Sequence, residues 1–282
     1  YAINDGENAE VAEALFEQYL PRYAGDNIPS TATGATLALA DRLDTLVGIF
    51  GIGQAPTGSK DPFALRRASL GALRIIVERK IDLDLLEALS LAISQHSILS
   101  GNSEAAGKVS KQVLTYMVER FKSWYVDENI PAEVFLAVAE KQLSNPLNIH
   151  QRVLAVHAFN QLPEAAALAA ANKRVSNILA KQQGISIPTE VDNTLLADTA
   201  EKALALALAE LSSEIKPLQQ DRDYTQMLKQ LARLRQPVDS FFDDVMVMVE
   251  DDALRNNRLA LLQQLRNLFL EVADISLLVP AK

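Results

Sequence analysis

Apolar residues recur along the chain at spacings of three and four, the period that brings side chains onto one face of a helix. Val11, Ala14, Leu15 and Tyr19 mark a helix over 9–20 that Pro21 closes, and Leu39, Leu43, Leu46, Val47 and Phe50 mark a buried one over 36–50, with Asp41, Arg42 and Asp44 as its polar exceptions. The Gly/Pro-rich stretch 51–60 reads as a loop. Asp61-Pro62 then supplies an N-cap followed by proline at the first helical position, opening a helix over 62–80 that buries Leu65, Ser69, Ala72, Leu73 and Ile76. The same reading predicts helices over 83–99, 107–126, 131–142, 148–161, 163–183, 192–216, 221–235, 237–249 and 252–274, each introduced or closed by Pro, Gly, Asp or Asn. No strand-period run of convincing length interrupts them, and no fixed-period repeat relates them. The fold class is therefore all-α, with Asn145-Pro146 as the best candidate for a domain boundary.

Composition sharpens this picture. With 49 % hydrophobic and 22 % charged residues, only 11 Gly and 11 Pro, and 6 % aromatics, the 282-residue chain is a helix-rich globular protein and not a disordered or fibrous one. The charge-free stretch from Ala88 to Ser103 is too short and too polar to span a bilayer, so no membrane association is expected. The absence of cysteine excludes a disulfide scaffold, thiol catalysis and Cys-ligated metals, and it fits a reducing, cytoplasmic setting. A net charge of −9 means that contact with nucleic acid has to come from a local basic patch. Tyr1 is not an initiating methionine and no targeting segment follows it, so the chain is expected to be a piece of a longer one.

Few motifs point to chemistry. Gly53-Gln54-Ala55-Pro56-Thr57-Gly58-Ser59-Lys60 imitates a phosphate-binding loop, but Ser59 precedes Lys60 and Asp61-Pro62 stands where the magnesium-binding hydroxyl and a donor N–H belong. Asp41 and Asp44 share a helix face and would suit a divalent cation; His96, His150 and His157 are scattered, so no metal site is expected. No Gly-x-Ser-x-Gly elbow is present, and no catalytic residue is assigned. Two basic stretches stand out. Between Lys60 and Lys80, Arg66, Arg67, Arg74 and Arg79 join the two lysines against only Asp61 and Glu78. Over 165–189, Lys173, Arg174 and Lys181 meet no acid at all. On a helix, Lys173, Arg174, Asn177 and Lys181 fall within an arc of about 100°, opposite a stripe of Leu168, Ala171, Val175, Ile178 and Leu179. Such a face either is simply solvated or holds phosphates, with Asn177 placed to read a base edge in a single-stranded loop.

The run from Phe241 to Leu262 combines an apolar segment, acids at Asp251 and Asp252 suited to an N-cap, and a helix striped by Leu254, Leu261, Leu265, Leu268 and Val272. Arg255 and Arg258 lie one turn apart, where they can pair with Asp or Glu of the preceding segment, a structural role.

Asp252-Ala253-Leu254-Arg255, followed by Arg258-Leu259-Ala260-Leu261-Leu262, resembles the DALR anticodon-binding domain, found in arginyl-tRNA synthetases and in the beta subunit of heterotetrameric glycyl-tRNA synthetases. The run from Asp41 through Gly51-Ile-Gly-Gln-Ala-Pro-Thr-Gly-Ser-Lys-Asp-Pro-Phe-Ala-Leu-Arg-Arg-Ala68 is similar to the glycyl beta subunit, as are 165–179 and 272–278. The resemblance implies the C-terminal part of an HD-like helical domain over 1–100, linker helices over 101–145 and a DALR-type bundle over 146–282. It implies tRNA(Gly) and the alpha subunit of an alpha2beta2 holoenzyme as partners, and no DNA. Glycine attachment, with its ATP and magnesium, would belong to the alpha subunit, so that this chain carries no cofactor. Lys173, Arg174, Asn177 and Lys181, with Arg66 and Arg67, are the expected RNA-binding residues. A helical scaffold for subunit assembly and a remnant of an HD-type phosphohydrolase are the rival readings; this chain has no His-Asp dipeptide to support the second.

Overall fold

The computed structural model describes residues 1–182 and 187–279. Among them the only regular elements are helices, α-helical or 3-10, as the apolar spacing predicts. No described helix is long and apolar enough to cross a membrane. The chain forms two compact units, one of residues 1–128 and 143–150, the other of 129–142 and 151–282.

The first unit is arranged around α2 (Ala32–Gly51), against which α1 (Ala9–Glu17), α3 (Leu65–Glu78), α4 (Leu85–Gln95) and α6 (Ser103–Asp127) all pack, with the single turn α5 (Ser97–Ser100) between the last two. Small residues let these helices approach: Ala35 and Ala38 are buried on α2 beside Leu39, Leu43, Leu46, Val47 and Phe50. On α6 the buried stripe is Val109, Val113, Met117, Phe121 and Tyr125, a strict spacing of four. Phe121, Trp124, Tyr125 and His150 form a slab of nearly parallel rings, with neighbouring centroids 5.4–6.1 Å apart and planes within 31°. The Tyr125 hydroxyl lies 3.0 Å from His150 Nδ1. Burial pushes the Tyr125 phenol far up and the His150 imidazole down.

Two buried charges hold the start of this unit. Glu17, 2 % exposed, accepts from the Ser30 backbone N–H at 2.5 Å, the Ser30 hydroxyl at 2.7 Å, and both the N–H and the hydroxyl of Thr31. Burial alone would raise its pKa, but the hydroxyl and N–H donors of Thr31 and Ser30 outweigh it and lower it from 4.5 to about 2. Arg42 donates to the carbonyls of Ala38 and Leu20 at 2.8 Å, Gln18 at 3.0 Å and Pro21 at 3.3 Å. The segment before α2 is therefore folded onto a guanidinium.

Helix α3 begins at Leu65 and not at Pro62. Ala64 takes a left-handed backbone conformation, φ 55°, and the Asp61 carboxylate caps the helix from four residues back, accepting from the N–H groups of Leu65 at 2.8 Å and Arg66 at 3.0 Å.

The second unit holds α7 (Ala132–Ala139), α8 (Pro146–Asn160) from residue 151 onward, α9 (Ala165–Ala180), α10 (Thr199–Gln220), α11 (Tyr224–Leu231), α12 (Arg235–Asp244), α13 (Asp252–Leu270) and a 3-10 turn, Ile275–Leu278. Leu204, Leu208, Leu211 and Ile215 of α10 and Leu261, Leu262, Leu265 and Phe269 of α13 lie in its core. The last carbonyls around the end of α13 accept from cations: Leu270 from Lys141 at 2.6 Å, Glu271 and Val272 from Arg152 at 2.5 and 2.7 Å. Such capping satisfies the orphan acceptors of a helix end.

The helix expected over 237–249 stops at Asp244. Val245 is extended, φ −110° and ψ 120°, and buried Val245 and Val247 alternate with exposed Met246 and Met248. That is a period of two, which β-branched valines favour over a helical turn.

Candidate nucleic-acid interface

Helix α9 places the expected basic face. Its N-terminal half is mostly alanine, and it packs through Ala165, Leu168, Ala169, Asn172 and Val175 against α13, α12 and the Ile275–Leu278 turn. The packed stripe is rotated from the expected one: Leu168 and Val175 are buried, but Ala171, Ile178 and Leu179 are only half-buried. Asn172 is drawn into the interface because its amide donates to the Leu168 carbonyl at 3.0 Å, which satisfies it locally.

On the opposite side Lys173, Arg174, Asn177 and Lys181 are all exposed. They line one concavity of about 440 Å³ together with Ala170, Ile178 and Val279, and among the described residues no acid lines it. Neither lysine, nor Arg174, makes an ion pair among the described residues. The Arg174 guanidinium instead lies over the Phe242 ring of α12, 4.2 Å from its centroid. Phe242 is the residue that the charge pattern does not reveal. Its only sequence signal is a second phenylalanine beside one that the core takes.

Arg66 and Arg67 belong to the other unit and differ from each other. The Arg66 guanidinium donates to the Gly58 and Ser59 carbonyls and so closes its own loop, whereas Arg67 is exposed on α3. Arg74 is held by Glu78 at 2.6 Å and by the Asp26 carbonyl at 2.9 Å. The loop that imitates a phosphate cradle does not fit the part. Thr57 and Lys60 pair through their backbones, and the Asp61 carboxylate already occupies the N–H groups at the start of α3 that a phosphate would need. The structure brings His96 to Asp44, 2.9 Å apart, a pairing invisible in a sequence where they stand far apart. Among the described residues no group of three His, Cys, Asp or Glu is arranged to hold a metal.

A second basic cluster, in the same unit as α9, faces inward. Arg258, 4 % exposed, meets the fully buried Glu201 at 2.5 Å and Asp198 at 2.9 Å, and donates to the Met246 carbonyl at 2.7 Å. Glu201 also accepts from the N–H groups of Ala197 and Asp198, both at 2.8 Å, closing a capping box at the start of α10. Burial would raise its pKa, but the Arg258 bond and these donors lower it. Arg255 pairs with Asp252 within α13 and donates to the Val249 carbonyl at 3.1 Å, and Asp251 is the residue that caps the helix, through Leu254 N–H at 3.0 Å. Asn257 clasps the backbone of Asp192 in both directions, at 2.7 and 3.0 Å. The DALR tetrad and its neighbours are thus structural, as expected, but Arg258 finds its acids at the start of α10 and takes only the Met246 carbonyl from the preceding segment.

Known proteins resemble the chain in both units. The family model of the glycyl-tRNA synthetase beta subunit matches residues 1–140, and that of the DALR anticodon binding domain matches residues 168–275, a span that includes most of α9, Phe242 and Arg258. The chain is 56 % identical over 281 residues to the glycine–tRNA ligase beta subunit of Marinobacter nauticus, covering 100 % of this chain and 40 % of that protein. It is 55 % identical over 278 residues to that of Pseudomonas aeruginosa and 53 % identical over 278 residues to that of a Shewanella species, in each case covering 99 % of this chain and 40 % of the relative. The chain spans about two fifths of the length of these curated relatives. With identity above one half along virtually its whole length, the chain belongs to the family of glycyl-tRNA synthetase beta subunits.

Proposed function

We propose that this chain is a tRNA-binding part of a glycyl-tRNA synthetase, in which the exposed face of α9 grips the anticodon arm of tRNA(Gly). The observation that carries the reading is the gathering of Lys173, Arg174, Asn177 and Lys181 around one concavity that no acid lines among the described residues, inside the span that matches an anticodon-binding domain. In a chain of net charge −9, such a patch is where polyanion binding is electrostatically favourable. Lysines neutralise phosphates as point charges, and Asn177 offers both a donor and an acceptor to a base. Arg67 is a secondary contact for the tRNA body, and Arg66 supports it by holding the preceding loop. The assembly that attaches glycine is an alpha2beta2 holoenzyme in the cytoplasm, with ATP and magnesium on the alpha subunit; this chain supplies recognition and not the chemical step.

The test is a salt titration of binding to tRNA(Gly) and to a tRNA of different anticodon, with the chain and with a Lys173→Ala/Arg174→Ala/Lys181→Ala variant. Preference for tRNA(Gly), lost in the variant together with a shallower salt dependence, is the expected result. Equal binding to both tRNAs, unchanged by the triple substitution, would overturn it.

A further inference from the structure

Charge alone does not require an aromatic ring beneath Arg174. Phe242 is half-buried at the end of α12, and its ring meets that of Phe241 edge-on, with centroids 5.6 Å apart at 79°. Phe241 is completely buried, so the core sets the direction of its neighbour. The Arg174 guanidinium lies over the Phe242 ring, 4.2 Å from its centroid, a contact that restrains it while Arg174 as a whole remains exposed. The concavity beside it has a partly apolar lining in Ala170, Ile178 and Val279, which suits a flat heterocycle and gives a phosphate nothing. At about 440 Å³ it falls in the size range of roughly 300–1,000 Å³ typical of sites for small organic groups.

We propose that Arg174 seated on Phe242 is a preformed stacking platform for one unpaired RNA base. The base lies in the concavity with its edge toward Asn177, and Lys173 and Lys181 take the flanking phosphates. Guanidinium planes are a recurring surface on which splayed-out bases stack, and a plane fixed in advance loses less conformational freedom on binding than a mobile arginine. The proposal rests on the reading of α9 as the RNA face and adds to it a recognition mode and a positioning residue, Phe242.

The experiment measures binding of the 282-residue chain to tRNA(Gly) transcripts in which each unpaired anticodon-loop nucleotide in turn is made abasic. Three variants are compared with the parent: Arg174→Lys keeps the charge without the plane, Phe242→Leu removes the supporting ring, and Lys173→Ala/Lys181→Ala removes charge alone. One abasic position is expected to weaken binding to the parent about tenfold. That penalty disappears with Arg174→Lys and with Phe242→Leu, whereas the lysine variant weakens every transcript alike and flattens the salt dependence. A flattened salt dependence with no base-selective loss at any position, or with the loss fully retained in Arg174→Lys, would overturn the platform and leave the RNA face standing. No effect of the lysine variant on any transcript would overturn the RNA face itself. Displacement of the RNA by poly-glutamate at comparable concentration would make α9 an acidic-peptide site and sink both. Arg174→Lys changes an exposed side chain, so it decides the question even where Phe242→Leu fails to fold.

Discussion

Arg174 and Arg258 are cations of the same unit, and the structure uses them in opposite ways. On α13, Arg258 is enclosed, and each of its three nitrogens reaches an acceptor within its own chain: Glu201, Asp198 and the Met246 carbonyl. On α9, Arg174 stands exposed among Lys173, Asn177 and Lys181 with an aromatic ring as its neighbour. The first arrangement fixes the start of α10 to α13, and the second leaves charge and donors pointing at solvent. Whether a cation is available to a ligand therefore depends on the acceptors that the fold brings to it, and not on the local density of basic residues.

The contrast is broken most severely at Arg258. Its replacement by alanine leaves the fully buried Glu201 carboxylate without its counter-ion, a loss of about 3–5 kcal/mol, which urea denaturation followed by the helical circular-dichroism signal will read. A loss under 1 kcal/mol would show the network to be dispensable. In the first unit Arg42→Met strips the donor from the Leu20, Pro21 and Ala38 carbonyls, and a destabilisation of roughly 1–3 kcal/mol is expected by the same assay. An unchanged midpoint would count against the guanidinium as the organiser of that segment.

Acid offers a gentler probe. The Glu17 carboxyl is lowered to about 2 from 4.5, so its contribution is fully present above pH 4.5 and is lost as pH falls toward 2. The Glu17→Gln chain is expected to be less stable than the parent at pH 6, with the gap narrowing over that acid window; a constant gap contradicts the assignment. At the far end of the scale, Lys173→Ala/Lys181→Ala is expected to leave stability within about 0.5 kcal/mol. Its salt slope for tRNA binding falls by roughly 1.4, the contribution of two phosphates on a single strand. A variant that unfolds more easily but binds with an unchanged slope would reverse the comparison between α9 and α13.

The same contrast explains what was legible in the sequence. The all-α class and most helices follow from apolar spacing, because burying one face of a helix needs only that period. The basic face of α9 was legible because Lys173, Arg174, Asn177 and Lys181 recur at helical intervals without an intervening acid. The fate of most arginines was not. Arg258 was readable as structural, though not its partners at the start of α10; Arg42 and Arg66 look like Arg67 and Arg174 in a string of letters, and only the carbonyls that the fold delivers to them separate them. The break at Val245 was hidden because an apolar run read at period 3.6 and one read at period 2 share Phe241 and Val245. Phe242 was hidden because its partner, Arg174, stands 68 positions away.

The ring slab on α6 has a spectroscopic consequence. Trp124 is the chain's single tryptophan and lies in the first unit, so intrinsic indole fluorescence reports that unit alone. The far-ultraviolet helix signal sums both units, so a transition seen there and absent from the indole emission belongs to the second unit. In a chain without cysteine, one thiol introduced at Ile178 would be the sole site for a dye, so that the indole would report the first unit and the dye the second in one cuvette.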